Sequence, residues 1–359
     1  MYTKKNYSIP IMVNWTRRYI YTFFFLSLIP VILYELLDWK WLHLPWLPIG
    51  LVGTALAFII GFKNNASYGR LWEARKIYGG IVNASRLLAT MVNDFITNEF
   101  AKSPKSEEEF FKIRKEIIMR HVAWMTALRH ALRSKKPWET SLSNKSDKEY
   151  MKKIKIKEYE FSLEEELEGY LNHEETEYVL GLTNKQGACL KLQSNHFRDL
   201  HLDGYIDDFR HMEFKNMIGE LFTLQGKAER IKNFPYPRQF ATLNLFFCWI
   251  FVMLLPFGLM HEIDKIGQTL VVTPDSGALY RLVAANFVWL TVPFSIIISW
   301  IFFTMERIGD VSENPFEGIG NDVPITTISR GIEIDIRELI GDDKAEIPEP
   351  HPEYADTQM

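Results

Sequence analysis

Four long stretches of the chain are rich in apolar residues and almost free of charge. Residues 41–62, 239–261 and 282–305 contain no Asp, Glu, Lys or Arg, and residues 19–37 contain only Glu35. A bilayer core about 30 Å thick requires roughly 20 apolar residues in a helix, since each residue rises about 1.5 Å. All four stretches are long enough. The pattern therefore predicts four transmembrane helices arranged as two hairpins.

The second stretch carries two ordered lines of residues that a lipid-facing helix does not require. At four-residue spacing, small residues form one line, and Thr and Phe form the other: Gly53, Ala57 and Gly61, then Thr54, Phe58 and Phe62. Small residues allow helices to approach closely in lipid, so the first line predicts a packing face. The second line either faces lipid or lines a pore, and spacing alone leaves both interpretations open.

The other segments are more polar, and most have helical periodicity. Apolar residues recur every three or four positions in 113–128, and residues 200–231 predict one or two long helices. Ser162 and Glu165 have the spacing of a capping box. No alternating strand pattern persists. The predicted class is an all-α membrane protein with a large helical cytoplasmic region.

These patterns divide the chain into six segments. They are a cytoplasmic N-terminus at 1–18, a first transmembrane hairpin at 19–62, a cytoplasmic helical region at 63–238, a second transmembrane hairpin at 239–305, a cytoplasmic segment at 306–340 and a tail at 341–359. The tail is predicted to be disordered because it is rich in charge and proline.

The distribution of basic residues predicts the orientation. Lys and Arg are concentrated before the first span, after the second and before the third, whereas the two loops on the other side carry few of them. Cytoplasmic flanks are enriched in Lys and Arg, so both termini and the large insert are predicted to be cytoplasmic, with the protein spanning the inner (cell) membrane several times. The net charge of −4 argues against nucleic acid as a partner.

The chain lacks the sequence signatures of common enzymes and cofactor sites. It has no GxxxxGKS/T, GxGxxG, HExxH or CxxC motif, and Cys189 and Cys248 imply no disulfide framework. His121 and His130 lie nine positions apart on a predicted helix, and we interpret them as packing or surface residues rather than a metal pair. We therefore predict no catalytic residue, no cofactor and no metal site.

A pore at Phe58 and Phe62 has a physical basis. An aromatic ring has a negative face and a positive edge, so a circle of Phe edges would ease an anion through an otherwise dry constriction. Hydrophobic constrictions also gate channels by dewetting, and Thr54 would add a hydroxyl at the wider end. Two phenylalanines in one subunit cannot close a circle, so this interpretation requires a symmetric oligomer.

Four segments resemble the bestrophin family of channels, and its prokaryotic members in particular. They are residues 61–75 (GFKNNASYGRLWEAR), 120–133, 226–237 and 313–324 (ENPFEGIGNDVP). The resemblance implies a homopentamer in the lipid bilayer, with one central pore for small inorganic ions, chloride above all. By register it also implies a pore neck at Thr54, Phe58 and Phe62, and a second constriction, the cytoplasmic aperture, near Met212.

The segment after Phe316 departs from the animal members of the family. In those proteins a run of carboxylates binds calcium there, whereas here Gly and Ile occupy several of the matching positions between Glu317 and Asp322. Calcium requires about six to eight oxygen ligands, with carboxylates prominent. We therefore expect no calcium dependence. The two Phe residues of the neck resemble the animal neck and favour anions over cations.

The sequence thus predicts a pentameric channel that passively conducts chloride or other small anions without calcium dependence. Two alternatives stay open. One is a monovalent cation channel of the same fold. The other is a membrane-anchored helical scaffold or enzyme whose cytoplasmic insert carries the activity.

Overall fold

A computed structural model describes residues 1–139, 145–270 and 277–359. In these residues the chain is helical, and its β-pairing is limited to isolated bridges near the termini, which confirms the predicted all-α class. The helices are α1 (Ile9–Leu36), α2 (Trp46–Phe95), α3 (Glu107–Arg133), α4 (Lys145–Met151), α5 (Lys157–Glu160), α6 (Leu163–Leu167), α7 (His173–Leu180), α8 (Lys185–Leu202), α9 (Asp208–Asn233), α10 (Arg238–Thr269), α11 (Ala278–Ala285), α12 (Thr291–Val311) and α13 (Ile325–Leu339).

Four segments of the described chain are long and apolar enough to cross a membrane, as predicted. They are Ile9–Leu36, Lys40–Phe95, Arg238–Thr269 and Phe287–Val311. Two helices extend well beyond the predicted spans. The first begins at Ile9, and α2 continues without a break through Lys63 to Phe95. The predicted boundary between residues 62 and 63 is therefore not the end of a helix.

The fourth span begins later than its run of uncharged residues. The helix α11 ends at Ala285, and the side-chain amide of Asn286 donates to Leu282 O at 2.9 Å. A short 3₁₀ turn follows before α12 starts at Thr291. Asparagine side chains compete with the backbone for hydrogen bonds and so favour helix ends. The first residues of the predicted span 282–305 consequently belong to a separate helix.

The chain divides into two compact units, which we describe separately. The first, here the membrane unit, comprises residues 5–68 and 236–313. Within it α1 packs against α10 and α12, and α10 packs against α12. Phe23, Leu56, Leu255 and Phe303 are buried in its core. The predicted hairpins thus contact each other inside one unit.

The second unit, here the helical unit, comprises residues 1–4, 69–235 and 314–359. Its central helix is α3, which packs against α8, α9 and α13. Trp124 of α3 is fully buried and donates its indole N–H to Gln225 Oε1 at 3.1 Å. The predicted capping box is confirmed, since Ser162 and Glu165 exchange hydrogen bonds at the start of α6.

A buried ionic network lies in the helical unit. Arg129 is 5% exposed and binds the carboxylates of Glu158 and Glu166. Glu166 also accepts from Lys157 at 2.7 Å and from His130 at 2.9 Å. Burial alone would raise the pKa of Glu166, but the His130 hydrogen bond and the Arg129 and Lys157 charges hold this pKa well below its usual range. The network therefore keeps its carboxylates ionised.

The tail at 341–359 does not follow the prediction of disorder. The side chain of Met359 is 1% exposed and packs with Ile154 and Ile156, and Met359 O accepts a hydrogen bond from Thr327 N at 2.6 Å. The tail forms no helix, as its prolines lead one to expect. Its course is fixed by tertiary contacts, which its composition does not reveal.

Acid is expected to destabilise the helical unit through His121. This side chain is buried, contacts Ser85 Oγ at 2.8 Å through Nε2, and has a pKa that burial lowers to about 3. The pKa of an unfolded histidine is about 6.5. His121 therefore contributes stability that is complete above about pH 6.5 and is lost as the pH falls towards about 3. Thermal unfolding of the detergent-solubilised protein should show a melting temperature that falls over this range.

The matched variant for this prediction is His121→Gln. Glutamine retains a hydrogen-bonding group for Ser85 but does not titrate, so the melting temperature of the variant should depend less steeply on pH. Identical pH dependence of parent and variant would show that another group causes the loss of stability.

Candidate functional site

Thr54, Phe58 and Phe62 lie along one exposed line of α2 in the membrane unit. Phe58 is 66% exposed and Phe62 is 73% exposed. The Thr54 hydroxyl donates to Gly50 O at 2.9 Å. Four residues make slightly more than one helical turn and rise about 6 Å. The three predicted neck residues therefore share one face, and the unit itself leaves that face uncovered.

The opposite side of α2 packs into the membrane unit. Its buried positions recur at alternating spacings of three and four residues, which is the period of a packed helix face: Gly53, Leu56, Ile60, Lys63 and Ser67. A Cβ atom on Gly53 would lie 2.7 Å from the ring of Phe251, so the approach of α2 to α10 requires glycine here.

Within the membrane unit, only Gly53 of the predicted packing line makes a close helix contact. Ala57 and Gly61 are exposed within the unit, and nothing lies within 4 Å of the position that a Cβ atom on Gly61 would occupy. A strict four-residue line drifts around a helix of 3.6 residues per turn. From Gly53 onwards the line therefore leaves the buried face and approaches the Phe58 side.

Lys63 is the residue whose role the sequence did not predict. It looked like a basic flank of the second span, but it is 1% exposed and its Nζ lies 2.5 Å from Glu306 Oε1. A signal was present, since Lys63 ends the second uncharged stretch and Glu306 follows the fourth. Opposite charges at the same end of two spans would have suggested the pair.

Met212, the predicted aperture residue, lies on α9 in the helical unit. Its side chain is 61% exposed. Phe209, one turn earlier on the same helix, is 82% exposed and was not predicted. Residues three apart on a helix are neighbours on its surface, so Met212 and Phe209 form one apolar patch. The described chain does not cover this patch.

The segment that resembles the calcium-binding run is held by a positive side chain instead. Asp322 Oδ2 accepts from Gly318 N at 2.5 Å and from Ile319 N at 3.2 Å, and it lies 3.5 Å from Arg133 Nη1. Gly318 has a φ of 94°, which favours glycine in this turn. Burial raises the pKa of Asp322 to about 7 in spite of the Arg133 charge.

His121 and His130 have separate partners in the structure. His121 contacts Ser85, and His130 contacts Glu166. Across residues 1–139, 145–270 and 277–359, no group of three or more His, Cys, Asp or Glu side chains is arranged to hold a metal ion.

Known proteins resemble this chain over most of its length. A voltage-dependent anion channel-forming protein of Ralstonia nicotianae is 27% identical over 309 residues, which cover 84% of this chain and 82% of the relative. The voltage-dependent anion channel-forming protein YneE of Escherichia coli is 25% identical over 301 residues, which cover 84% and 78%.

Solved structures share the fold. A bacterial bestrophin homologue from Klebsiella pneumoniae superposes with a TM-score of 0.70 at 22% identity, covering 90% of this chain and 98% of that one. The model of the bacterial and fungal bestrophin proteins matches residues 11–274 and 281–338. The match takes in all four spans, the predicted neck and the predicted aperture. This chain belongs to the bacterial and fungal bestrophin family.

Proposed function

We propose that this chain assembles into a symmetric pentamer that passively conducts chloride and other small anions through a central pore. The observation that carries the proposal is the exposed line of Thr54, Phe58 and Phe62 on a spanning helix, opposite that helix's own buried face. The names of the relatives from Ralstonia nicotianae and Escherichia coli, which are anion channel-forming proteins, support the same activity.

The chain is a membrane protein, and the comparisons indicate a channel rather than an enzyme. We place it in the inner (cell) membrane with both termini on the cytoplasmic side. The concentration of Lys and Arg beside the cytoplasmic ends of the spans supports this orientation. Membrane lipid then surrounds the apolar surfaces of α1, α10 and α12 that do not contact other helices.

The proposed neck has two levels along the pore axis, one formed by Phe58 and the other by Phe62. In a pentamer each level is a circle of five rings, which excludes water when narrow and so raises the barrier to an ion. Ring edges carry positive charge, and they favour an anion over a cation at the constriction. The Thr54 hydroxyl donates its hydrogen to Gly50 O. The anion preference of the neck therefore rests on Phe58 and Phe62 rather than on Thr54.

The proposed aperture is a second, softer constriction formed by Met212, and we add Phe209 to it. Both side chains are apolar and largely exposed on α9. Methionine is flexible and polarisable, so a circle of Met212 side chains would filter ions by size without binding them tightly.

We expect the channel to open without calcium. Gly and Ile replace carboxylates in the matching run, and Oδ2 of Asp322 already accepts from two backbone N–H groups and faces the guanidinium of Arg133, so few free carboxylate oxygens are left for calcium. Single-channel recordings should therefore give the same open probability in micromolar calcium and in excess chelator. A steep response to calcium would contradict this part of the proposal.

Purified protein in a planar bilayer tests the conductance itself. Under a tenfold KCl gradient, a channel selective for anions should reverse near the chloride equilibrium potential, which is about 59 mV in magnitude for a monovalent ion. Reversal with the opposite sign would identify a cation channel of the same fold. An absence of current from correctly assembled protein would favour a membrane-anchored scaffold.

A further inference from the structure

Lys63 and Glu306 form an ion pair buried inside the membrane unit. The side chains of Lys63 and Glu306 are 1% and 3% exposed, and Nζ lies 2.5 Å from Oε1. The pair joins α2 to α12. Both residues lie at the ends of their spans, where a long charged side chain ordinarily reaches the membrane interface, so their burial inside the unit calls for a role. A buried ion pair is also weak support for stability, whereas specifying one register is its best-attested use.

The charges around the pair balance one another. Lys63 Nζ lies 3.9 Å from Asp310 Oδ1, and Asp310 is also bound by Arg307. Along the contacts Glu306–Lys63–Asp310–Arg307 the formal charges therefore alternate in sign and sum to zero.

The two helices approach each other very closely at this level. A Cβ atom on Gly309 would overlap Asn64 Oδ1 and would lie 3.4 Å from Lys63 Cγ, so glycine leaves room here for the side chains of α2. Ser67 Oγ and the amide atoms of Asn64 are buried without a hydrogen-bond partner among the described residues. Lys63, Asn64 and Ser67 thus form a polar edge of α2, and exposing this edge to lipid would be costly.

Gly53 constrains the packing of α2 near one end of the span, but near the ion pair apolar contacts constrain its rotation only weakly. Ile60 is buried there, and its neighbour Ile59 is also large and apolar. At this level a turn by one residue, about 100°, would exchange Ile60 for Ile59 and Lys63 for Phe62. The same turn would move Lys63 away from Glu306 and leave a buried carboxylate unpaired, which is strongly disfavoured.

We infer that the Lys63–Glu306 pair is a positioning clamp, which fixes the rotation of α2 about its axis and so determines which side chains the neck presents. Lys63 directly follows Phe62 in the chain, so the clamp acts beside the proposed constriction. The inference rests on the proposed function, because the rotation of α2 affects conduction only if the exposed face of α2 lines the pore neck. Neither Lys63 nor Glu306 is proposed to contact the permeating ion.

The experiment measures the rotation of α2 rather than current. Two variants, Phe62→Cys and Ile59→Cys, are made in the full-length protein in lipid nanodiscs. Position 59 lies on α2 between the exposed face and the buried face. The rate at which a charged, water-soluble thiosulfonate labels each introduced cysteine is then measured. Cys189 and Cys248 are buried, and the protein without added cysteine gives the background. Each position is measured in the parent and in the double variant Lys63→Met, Glu306→Met, which leaves neither charge unpaired.

In the parent, Phe62→Cys should label much faster than Ile59→Cys, because position 62 faces the aqueous pore. In the double variant the ratio of the two rates should fall several-fold, whereas Lys63→Arg should keep the parental ratio. Fast labelling of Phe62→Cys with an unchanged ratio in the double variant would overturn the clamp and leave the neck intact. Slow labelling of both positions in the parent would overturn the neck, and the clamp with it.

The oligomeric mass of each variant is checked by size-exclusion chromatography with light scattering. If the double variant does not assemble, Glu306→Gln replaces it, since it removes the carboxylate charge at nearly unchanged side-chain volume. A parental labelling ratio in Glu306→Gln would then overturn the clamp.

Discussion

Replacing Phe58 with Ala is expected to raise the single-channel conductance roughly tenfold, since a barrier lower by ~1.4 kcal/mol corresponds to that factor in rate. Phe58 is 66% exposed on the open face of α2. In a symmetric oligomer the substitution shortens one side chain in every subunit at the same level. A wider ring holds water, and the dewetting barrier falls. Planar-bilayer recordings measure the conductance, and light scattering shows whether the oligomer is unchanged.

Two further variants separate the causes of this effect. Phe246→Ala removes a ring of similar exposure, 56%, from α10 of the same unit, and it should leave the conductance at the parental value. Phe58→Leu retains a large apolar side chain but removes the ring edge. It should keep the low conductance and reduce the preference for anions. Parental conductance in Phe58→Ala would show that this face does not line the pore.

The sequence predicted the class and the spans because both depend on local pattern. A run of about 20 uncharged apolar residues has few stable alternatives to a membrane helix. Periodicity likewise predicted the helices around 113–128 and 200–231, which the structure shows as α3 and as parts of α8 and α9. Helical periodicity also revealed the line of Thr54, Phe58 and Phe62. In the structure these residues are exposed on the side of α2 opposite its buried face.

Tertiary contacts produced the features that the sequence did not predict. Lys63 was interpreted as a flanking charge because nothing local shows that Glu306, more than 200 positions away, is its partner. The tail was predicted to be disordered because the partners of Met359, including Ile154, lie in a distant segment. The break at Asn286 was missed because counting charges does not detect a polar, uncharged residue that ends a helix.

Replacing Arg129 with Met is expected to destabilise the helical unit by about 3–5 kcal/mol, the range observed when one partner of a buried ion pair is removed. Arg129 is the shared partner of Glu158 and Glu166. Without it, Glu166 keeps Lys157 and His130, but Glu158, whose side chain is 0% exposed, keeps only the Thr326 hydroxyl at 2.9 Å and the more distant charge of Arg133 among the described residues. Unfolding in detergent should show a melting temperature lower by roughly 6–20 °C.

An exposed ion pair provides the matched control. Arg86 binds Asp335 at 2.5 Å in the same unit, but the Arg86 side chain is 56% exposed. Arg86→Met should therefore cost less than about 1 kcal/mol. The double variant Arg129→Met, Glu158→Gln removes the uncompensated charge as well as the cation, and it should recover most of the lost stability. With the single variant Glu158→Gln, these proteins complete a double-mutant cycle that measures the coupling between Arg129 and Glu158.

The pH dependence of Arg129→Met provides an independent check, because its sign is opposite to that of the parent. In the parent, burial tends to raise the pKa of Glu158, but the Arg129 and Arg133 charges lower it overall, so this carboxylate contributes stability that is lost on acidification. In Arg129→Met the buried, unpaired carboxylate gains from protonation, and acid removes its penalty. The gap in melting temperature between variant and parent should therefore narrow as the pH falls. A gap that is constant with pH would mean that lost packing of the Arg129 side chain, rather than its charge, causes the destabilisation.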